Sequence, residues 1–419
     1  MKPFAVASIA FAALLAAGIA MAPATAQTGP TAGTLLAGEL LNPRGISLGP
    51  DGMLYVAEAG EGGDEEITVG PFTFQNGHTG RISKIDPASG DRTTVADGLP
   101  SNSHEEFGTV GPTDVAFIGD QLYYVQTHGG ADWGFADEPT GIYKVNDDGS
   151  VELLADIGAF NVADPVSDIT DGTQEDIEPG GNPYAMIVRD GAFYVSDGNQ
   201  NQVITVTEAG EISRLTELSG HPVSTGITFD PAGGPFYVAE LGREPFNPED
   251  GRVVSVDATT GAHDVIASGF SALTDVGVGP GGQLYALQFA DQAPPGGPPL
   301  APFSAKVLKV NDDGTMTPVV AGFTFATAML FDDAKLYVVS NGLSVLGPGE
   351  VWVIDDIEDV PPIPTPEAEP TATPALPGTG SGYSSAGGAS SGLMLMLALG
   401  AASVALAATG WALRRAGRQ

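Results

Sequence analysis

A hairpin unit returns six times along this chain, and that recurrence limits the possible folds more than any other feature. Its first copy is Pro43 to Ala57 (PRGISLGPDGMLYVA): an apolar alternating strand, a turn of Gly, Pro and Asp that tolerates positive φ, and a second strand carrying Leu-Tyr. The same order recurs at Pro112 to Val125, Pro183 to Ser196, Pro222 to Ala239, Leu273 to Leu287 and Ala328 to Val339. A further strand pair follows most copies, at Gly80 to Val95, Gly141 to Leu154, Gln202 to Leu215, Gly251 to Ile266 and Ala305 to Val320. Four short antiparallel strands per unit, repeated in this way, are the signature of a β-propeller. The expected fold is all-β, a six-bladed propeller of four-stranded blades over residues 27–360; a sandwich, or five or seven blades, are the alternatives. The marker tyrosines at 55, 123, 194, 237, 285 and 337 are unevenly spaced, which loop insertions account for.

The last unit supplies Gly349 to Asp355 (GEVWVID) as a third strand and has no fourth before the chain turns proline-rich. Thr34 to Ala37 (TLLA), ahead of the first copy, matches the missing outer strand. An N-terminal strand closing the ring would cover the edge that a truncated blade exposes.

The chain ends read as targeting signals. Residues 1–26 carry a short positive start, an apolar run and the Ala24-Thr25-Ala26 pattern of a secretory signal peptide, so the mature chain is expected to begin at Gln27. Residues 361–391 form a stalk whose first half is proline-rich. Residues 392–413 are uncharged and long enough to cross a bilayer as a transmembrane helix, and the basic tail 414–419 places the C-terminus in the cytoplasm and the body outside. Just upstream of the span stands Leu376-Pro377-Gly378-Thr379-Gly380. Pentapeptide, apolar span and arginine tail in this order resemble a cell-wall sorting signal. That resemblance implies cleavage by a sortase between Thr379 and Gly380 and attachment to an envelope polymer. A plain membrane anchor is the alternative.

The body has no cysteine, so burial alone must hold it together although the compartment would allow disulfides. The whole chain's formal net charge of −36, from 52 acidic and 16 basic residues, argues against nucleic acid, whose phosphates need clustered Lys and Arg. Such acidity by itself fits solubility; cation binding needs a specific site.

The opening run P-R-G-I-x-x-G-P-D-G-x-L-Y-V-A-E-A-G, followed by G-P-T-D-V-A-F, resembles the ScyD/ScyE family within the NHL and SMP-30-like propellers. The likeness extends over residues 34 to 359. It implies the fold and an export route, and leaves the chemistry open.

In a propeller the starts of the inner strands and the ends of the second strands meet at one mouth of the central tunnel. There the sequence places Glu58, Gln126, Asp197, Glu240, Gln288 and Ser340-Asn341, with Arg44, Asp114, His221 and Asp275 entering the inner strands. Glu58, Asp114, Asp197, Glu240 and Asp275 are the candidate metal ligands, because Ca²⁺ takes about six to eight oxygens and the SMP-30-like resemblance implies a tunnel metal. The same residues also fit a solvated rim in which Asp114 and Asp275 cap turn amides. Insertions at Glu61 to Thr79, His128 to Glu138, Phe160 to Gly181 and Gln292 to Phe303 are expected above this face. They offer His128, Trp133, Phe72, Phe74 and Phe135 as contacts, so that His128, Trp133, Arg44 and His221 form the candidate ligand-binding set. Asn146 to Gly149 and Asn311 to Gly314 lack the ligand spacing of a calcium loop and read as hairpin turns.

Catalysis finds no motif: the five histidines have no metal-binding spacing, and cysteine and a phosphate loop are missing from the sequence. The expectation is a cell-surface propeller binding an unidentified ligand or partner. A Ca²⁺-dependent tunnel enzyme of lactonase type, or an oxidative activity like that of ScyE, is the alternative. A purely structural envelope role is a third.

Overall fold

A computed structural model of the chain describes residues 29–69, 72–105, 108–167, 180–218, 220, 222–242, 250–291, 300–344, 346–361 and 363. The expected signal peptide, the stalk from residue 364, the Leu376–Gly380 motif, the apolar segment 392–413, the basic tail and His221 all lie outside the described residues. Among the described residues, no helix is long and apolar enough to cross a membrane.

The strands form six antiparallel sheets. The second sheet shows the pattern: Pro112–Ile118, Gln121–Gln126, Gly141–Val145 and Val151–Asp156 follow one another outward. The third, fourth and fifth repeat it, beginning at Pro183–Arg189, Ser224–Phe229 and Leu273–Val278. The sixth contains Ala328–Asp332, Lys335–Ser340 and Gly349–Ile354, and takes the N-terminal strand Thr34–Leu40 as its fourth, with Thr34 opposite Val353 and Leu40 opposite Gly349.

Alternation within each strand puts one set of side chains toward each neighbouring sheet, and the cores lie between consecutive sheets. Phe193 and Val195 of the third sheet pack on Ala116, Tyr123 and Val125 of the second. Val338 and Leu336 of the sixth meet Leu287 and Val307 of the fifth. The series returns to its start, since Tyr337, Val339 and Val351 of the sixth sheet, with Leu40, pack on Leu54, Val56 and Ile85 of the first. Each fully buried aliphatic or aromatic side chain contributes about 1.5–3 kcal/mol of transfer free energy, so a stack of such interfaces replaces the absent disulfides. The fold is a β-propeller.

The first sheet departs from the repeat. Its inner strands Pro43–Leu48 and Leu54–Glu58 are followed by the long Phe72–Ile85 and Arg92–His104, with Gly108–Val110 beyond and Glu65–Val69 paired to Phe72–Ile85. The insertion at 61–79, expected as loop, is therefore largely strand. Ile67, Val69, Phe72 and Phe74 alternate and find a small core of their own with Trp133 and Phe135, enough to offset the acidic and glycine-rich residues around them. The insertion after the second sheet starts with a short helix, Ile157–Ala163, capped by Asp156, whose carboxylate accepts the Ala159 amide at 2.7 Å. Asn146 to Gly149 and Asn311 to Gly314 are hairpin turns: Asn146 and Asn311 donate to the carbonyls of Ser150 and Thr315, each at 2.8 Å.

Candidate functional site

The inner strands of all six sheets line one channel of about 370 Å³. In each of the first five sheets the start of the inner strand pairs with the end of the second, as Pro43 with Glu58 and Pro112 with Gln126, and a β-bulge follows at once. A bulge re-aims the side chain beside it. The re-aimed positions and their counterpart in the sixth sheet are Gly45, Asp114, Ala185, Gly226, Asp275 and Ala328, a glycine–aspartate–alanine series run through twice.

The series has a mechanical meaning. Asp114 accepts the amides of Val115 and Met186, both at 2.8 Å, and so ties its own inner strand to that of the third sheet. Asp275 accepts those of Val276 at 2.8 Å and Met329 at 2.7 Å, tying the fifth sheet to the sixth. A Cβ on Gly45 would lie 2.0 Å from Asp114 Oδ1, and one on Gly226 would lie 2.1 Å from Asp275 Oδ1, which is why the position ahead of each aspartate carries no side chain. Burial pushes Asp114 up to about 8 against its two amide bonds, with the charge of Asp275 adding to the effect. Burial likewise raises Asp275 to about 7.

One residue earlier stand Arg44, Thr113, Tyr184, Thr225, Thr274 and Thr327. The four threonines all spend their hydroxyls on the next sheet. Thr113 donates to Pro183 O at 3.1 Å, Thr225 to Leu273 O at 2.9 Å, Thr274 to Ala326 O at 2.9 Å, and Thr327 to Pro43 O and Arg44 O at 3.1 Å. The other two positions break the rule with long side chains that reach the channel. Tyr184 donates to the carbonyl of Thr327 at 3.2 Å, spanning from the third sheet to the sixth. Arg44 donates through Nη2 to Thr109 O. Burial lowers the Arg44 pKa from its ordinary value, while burial raises that of Tyr184 and the arginine charge opposes the rise, so the two groups feel each other. Among the described residues no carboxylate lies within ion-pair distance of Arg44, and only 9% of its surface is exposed.

The five carboxylates expected as metal ligands do not converge. Glu58 is fully buried and accepts from Leu41 N and Arg81 Nη2 at 2.6 Å and from the Ser83 hydroxyl. Glu240 pairs with Arg252 Nε at 2.6 Å, and burial, opposed by that arginine, lifts its pKa to about 7. Asp197 accepts the amides of Asn182 at 2.8 Å and of Asn199 and Gln200 at 3.1 Å, plus Asn161 Nδ2 at 3.0 Å. Glu58 and Glu240 stand directly opposite Arg81 and Arg252 on the third strands of their own sheets, so the ligand reading gives way to cross-strand ion pairs. Asp114 and Asp275 are the channel latches already described. Among the described residues no group of three or more His, Asp or Glu side chains is arranged to hold a metal, and these five do not fit Ca²⁺, which takes about six to eight oxygens at one centre.

The expected aromatic contacts are also turned inward. The rings of His128 and Trp133 stack at 3.6 Å and 8°, with 3% and 5% of their surfaces exposed, and His128 Nδ1 meets Asn102 Oδ1 at 3.1 Å. Trp133 belongs to the core that docks the insertions of the first and second sheets together, and His128 stacks on it. Of the described members of the proposed ligand-binding set, Arg44 alone is found lining the channel, and Tyr184, which was not singled out, joins it there. Its signal was available, because Arg44 and Tyr184 each follow the proline that opens a repeat where the second repeat has Thr113.

No family model matches this sequence, and no curated protein matches it. Among solved structures, it is similar to the PQQ-bound aldose sugar dehydrogenase of Streptomyces coelicolor, with a TM-score of 0.50 at 13% identity over 79% of this chain and 99% of that one. A gluconolactonase of Xanthomonas campestris gives 0.49 at 13% identity over 77% and 88%. The calcium-binding regucalcin of Agrobacterium tumefaciens gives 0.45 at 14% identity over 77% and 95%. At such identities the likeness is one of fold.

Proposed function

We propose that this protein is a six-bladed propeller, its ring closed by the N-terminal strand, that binds a small ligand in its central channel. The observation that carries the reading is the gathering of Arg44, Tyr184, Asp114 and Asp275, from four different sheets, on the wall of one channel. At the positions equivalent to Arg44 and Tyr184 the other inner strands carry threonines whose hydroxyls bond to the next sheet, whereas these two long side chains line the channel. Turnover in the same channel is the alternative use, and product analysis during ligand screening separates the two.

The kinship to the ScyD/ScyE group and the secreted, envelope-anchored location belong to the same proposal. They rest on the opening repeat, the N-terminal apolar run and the Leu376–Gly380 signal ahead of the 392–413 segment. Mass spectrometry of the native protein should find an N-terminus at Gln27 and a C-terminal Thr379 joined to envelope material; an intact tail in a membrane fraction would leave a plain anchor instead.

The channel reading is tested by saturation-transfer NMR on the purified full-length chain with a panel of sugars, amines, carboxylates and their amides. Binding of at least one class, lost in Ser47→Trp, which adds an indole to the channel wall, is the expected result. No binding from any class would refute it.

A further inference from the structure

Resting on the channel reading, we infer that the ligand is a small monocarboxylate, received by the guanidinium of Arg44 with the Tyr184 phenol as a second donor. A guanidinium carries five N–H donors in a planar fork that matches a carboxylate edge to edge. Arg44 spends one nitrogen on the Thr109 carbonyl, and no carboxylate among the described residues pairs with it. Two half-buried arginines contrast with this. Arg81 and Arg252 each sit against the carboxylate directly opposite on their own sheet, at 2.6 Å. A buried cation without a counter-ion is costly unless a partner arrives, and Arg44 is the cation on the channel wall in that condition.

Tyr184 completes the geometry. Its hydroxyl bonds to a neutral carbonyl, that of Thr327, across the channel. That bond is exchangeable: rotation of the O–H toward a carboxylate held by Arg44 replaces a neutral acceptor with an ionised one, the stronger of the two. The charge of the ligand is limited by the number of cations on the channel wall. A single negative charge matches the one guanidinium, and among the described residues lining the channel there is no second cation for a dianion.

The inference is tested by titrating the full-length chain with benzoate and lactate and with their neutral amides, benzamide and lactamide. The acids are expected to bind at least tenfold more tightly than the amides, and Arg44→Met should abolish that preference, weakening the acids far more than the amides. Tyr184→Phe, which keeps the ring and the charge of Arg44, should weaken acid binding severalfold and amide binding less, and it covers the case in which Arg44→Met does not fold. If the amides bind as tightly as the acids, or if Arg44→Met keeps the full preference, the carboxylate assignment fails while channel binding stands. If no compound of the wider panel binds the wild-type chain, both fail.

Discussion

The Tyr184 hydroxyl donates to the Thr327 carbonyl at 3.2 Å, joining the third sheet to the sixth, two sheets that share no packed core. Every other inter-sheet tie at this level runs between neighbours. Tyr184→Phe removes one neutral hydrogen bond and is expected to cost about 0.5–1.5 kcal/mol in urea denaturation, a modest effect for a half-buried tyrosine. A loss above that range would mean that the bond is a structural brace and not an exchangeable contact.

Gly45 has room for no side chain because Asp114 occupies the space, its carboxylate oxygen and its Cα lying 2.0 and 2.7 Å from a would-be Cβ. The Cα cannot rotate away. Gly45→Ala and its counterpart Gly226→Ala should each destabilise by about 1–3 kcal/mol through overpacking, whereas Gly38→Ala, with nothing within 4 Å of the added methyl, should be near neutral. Thermal melts of the three variants check the order; equal stability of all three would remove the latch.

The two latches and Glu240 also set the pH dependence. Burial raises Asp114 from 3.8 to about 8, Asp275 from 3.8 to about 7 and Glu240 from 4.5 to about 7. The unfolded chain therefore releases these protons first. Their contribution to stability is whole below about pH 4, falls as pH rises and is gone above about pH 8. The turn aspartates Asp148, Asp257 and Asp313 are shifted the other way and act below pH 4. Melting temperature should fall between pH 5 and pH 8.5, and Asp114→Asn should flatten the slope at the cost of one of its two amide bonds. A melting temperature that climbs over this interval would contradict the assignment.

Glu58 tests the correction from metal ligand to ion pair. Glu58→Ala leaves Arg81 facing an empty site and should cost about 3–5 kcal/mol, the same with Ca²⁺ as without it. A cost that appears only in Ca²⁺ would restore the metal reading.

Much of the architecture was legible in the sequence because a propeller blade is a local object. The turn chemistry and the alternating Leu-Tyr strands are written within about fifteen residues, and the outer strand Thr34–Leu40 fits the gap left after Gly349–Ile354. The site was harder. Ranking carboxylates by their nearness to the mouth ignored what stands opposite them. Arg81 and Arg252 lie on the third strands at the register positions facing Glu58 and Glu240, and that pairing follows from counting hairpin residues. The strand content of 65–69 and 72–79 was hidden for another reason. Its partners, Trp133 and Phe135, arrive from the next repeat, and no local pattern announces them.

The most direct test is a crystal structure of the protein soaked with benzoate. The account predicts density for the carboxylate against the Arg44 guanidinium, within hydrogen-bond reach of the Tyr184 hydroxyl. Benzoate bound only outside the channel, with the Tyr184–Thr327 bond and the Arg44 environment unchanged, would contradict it.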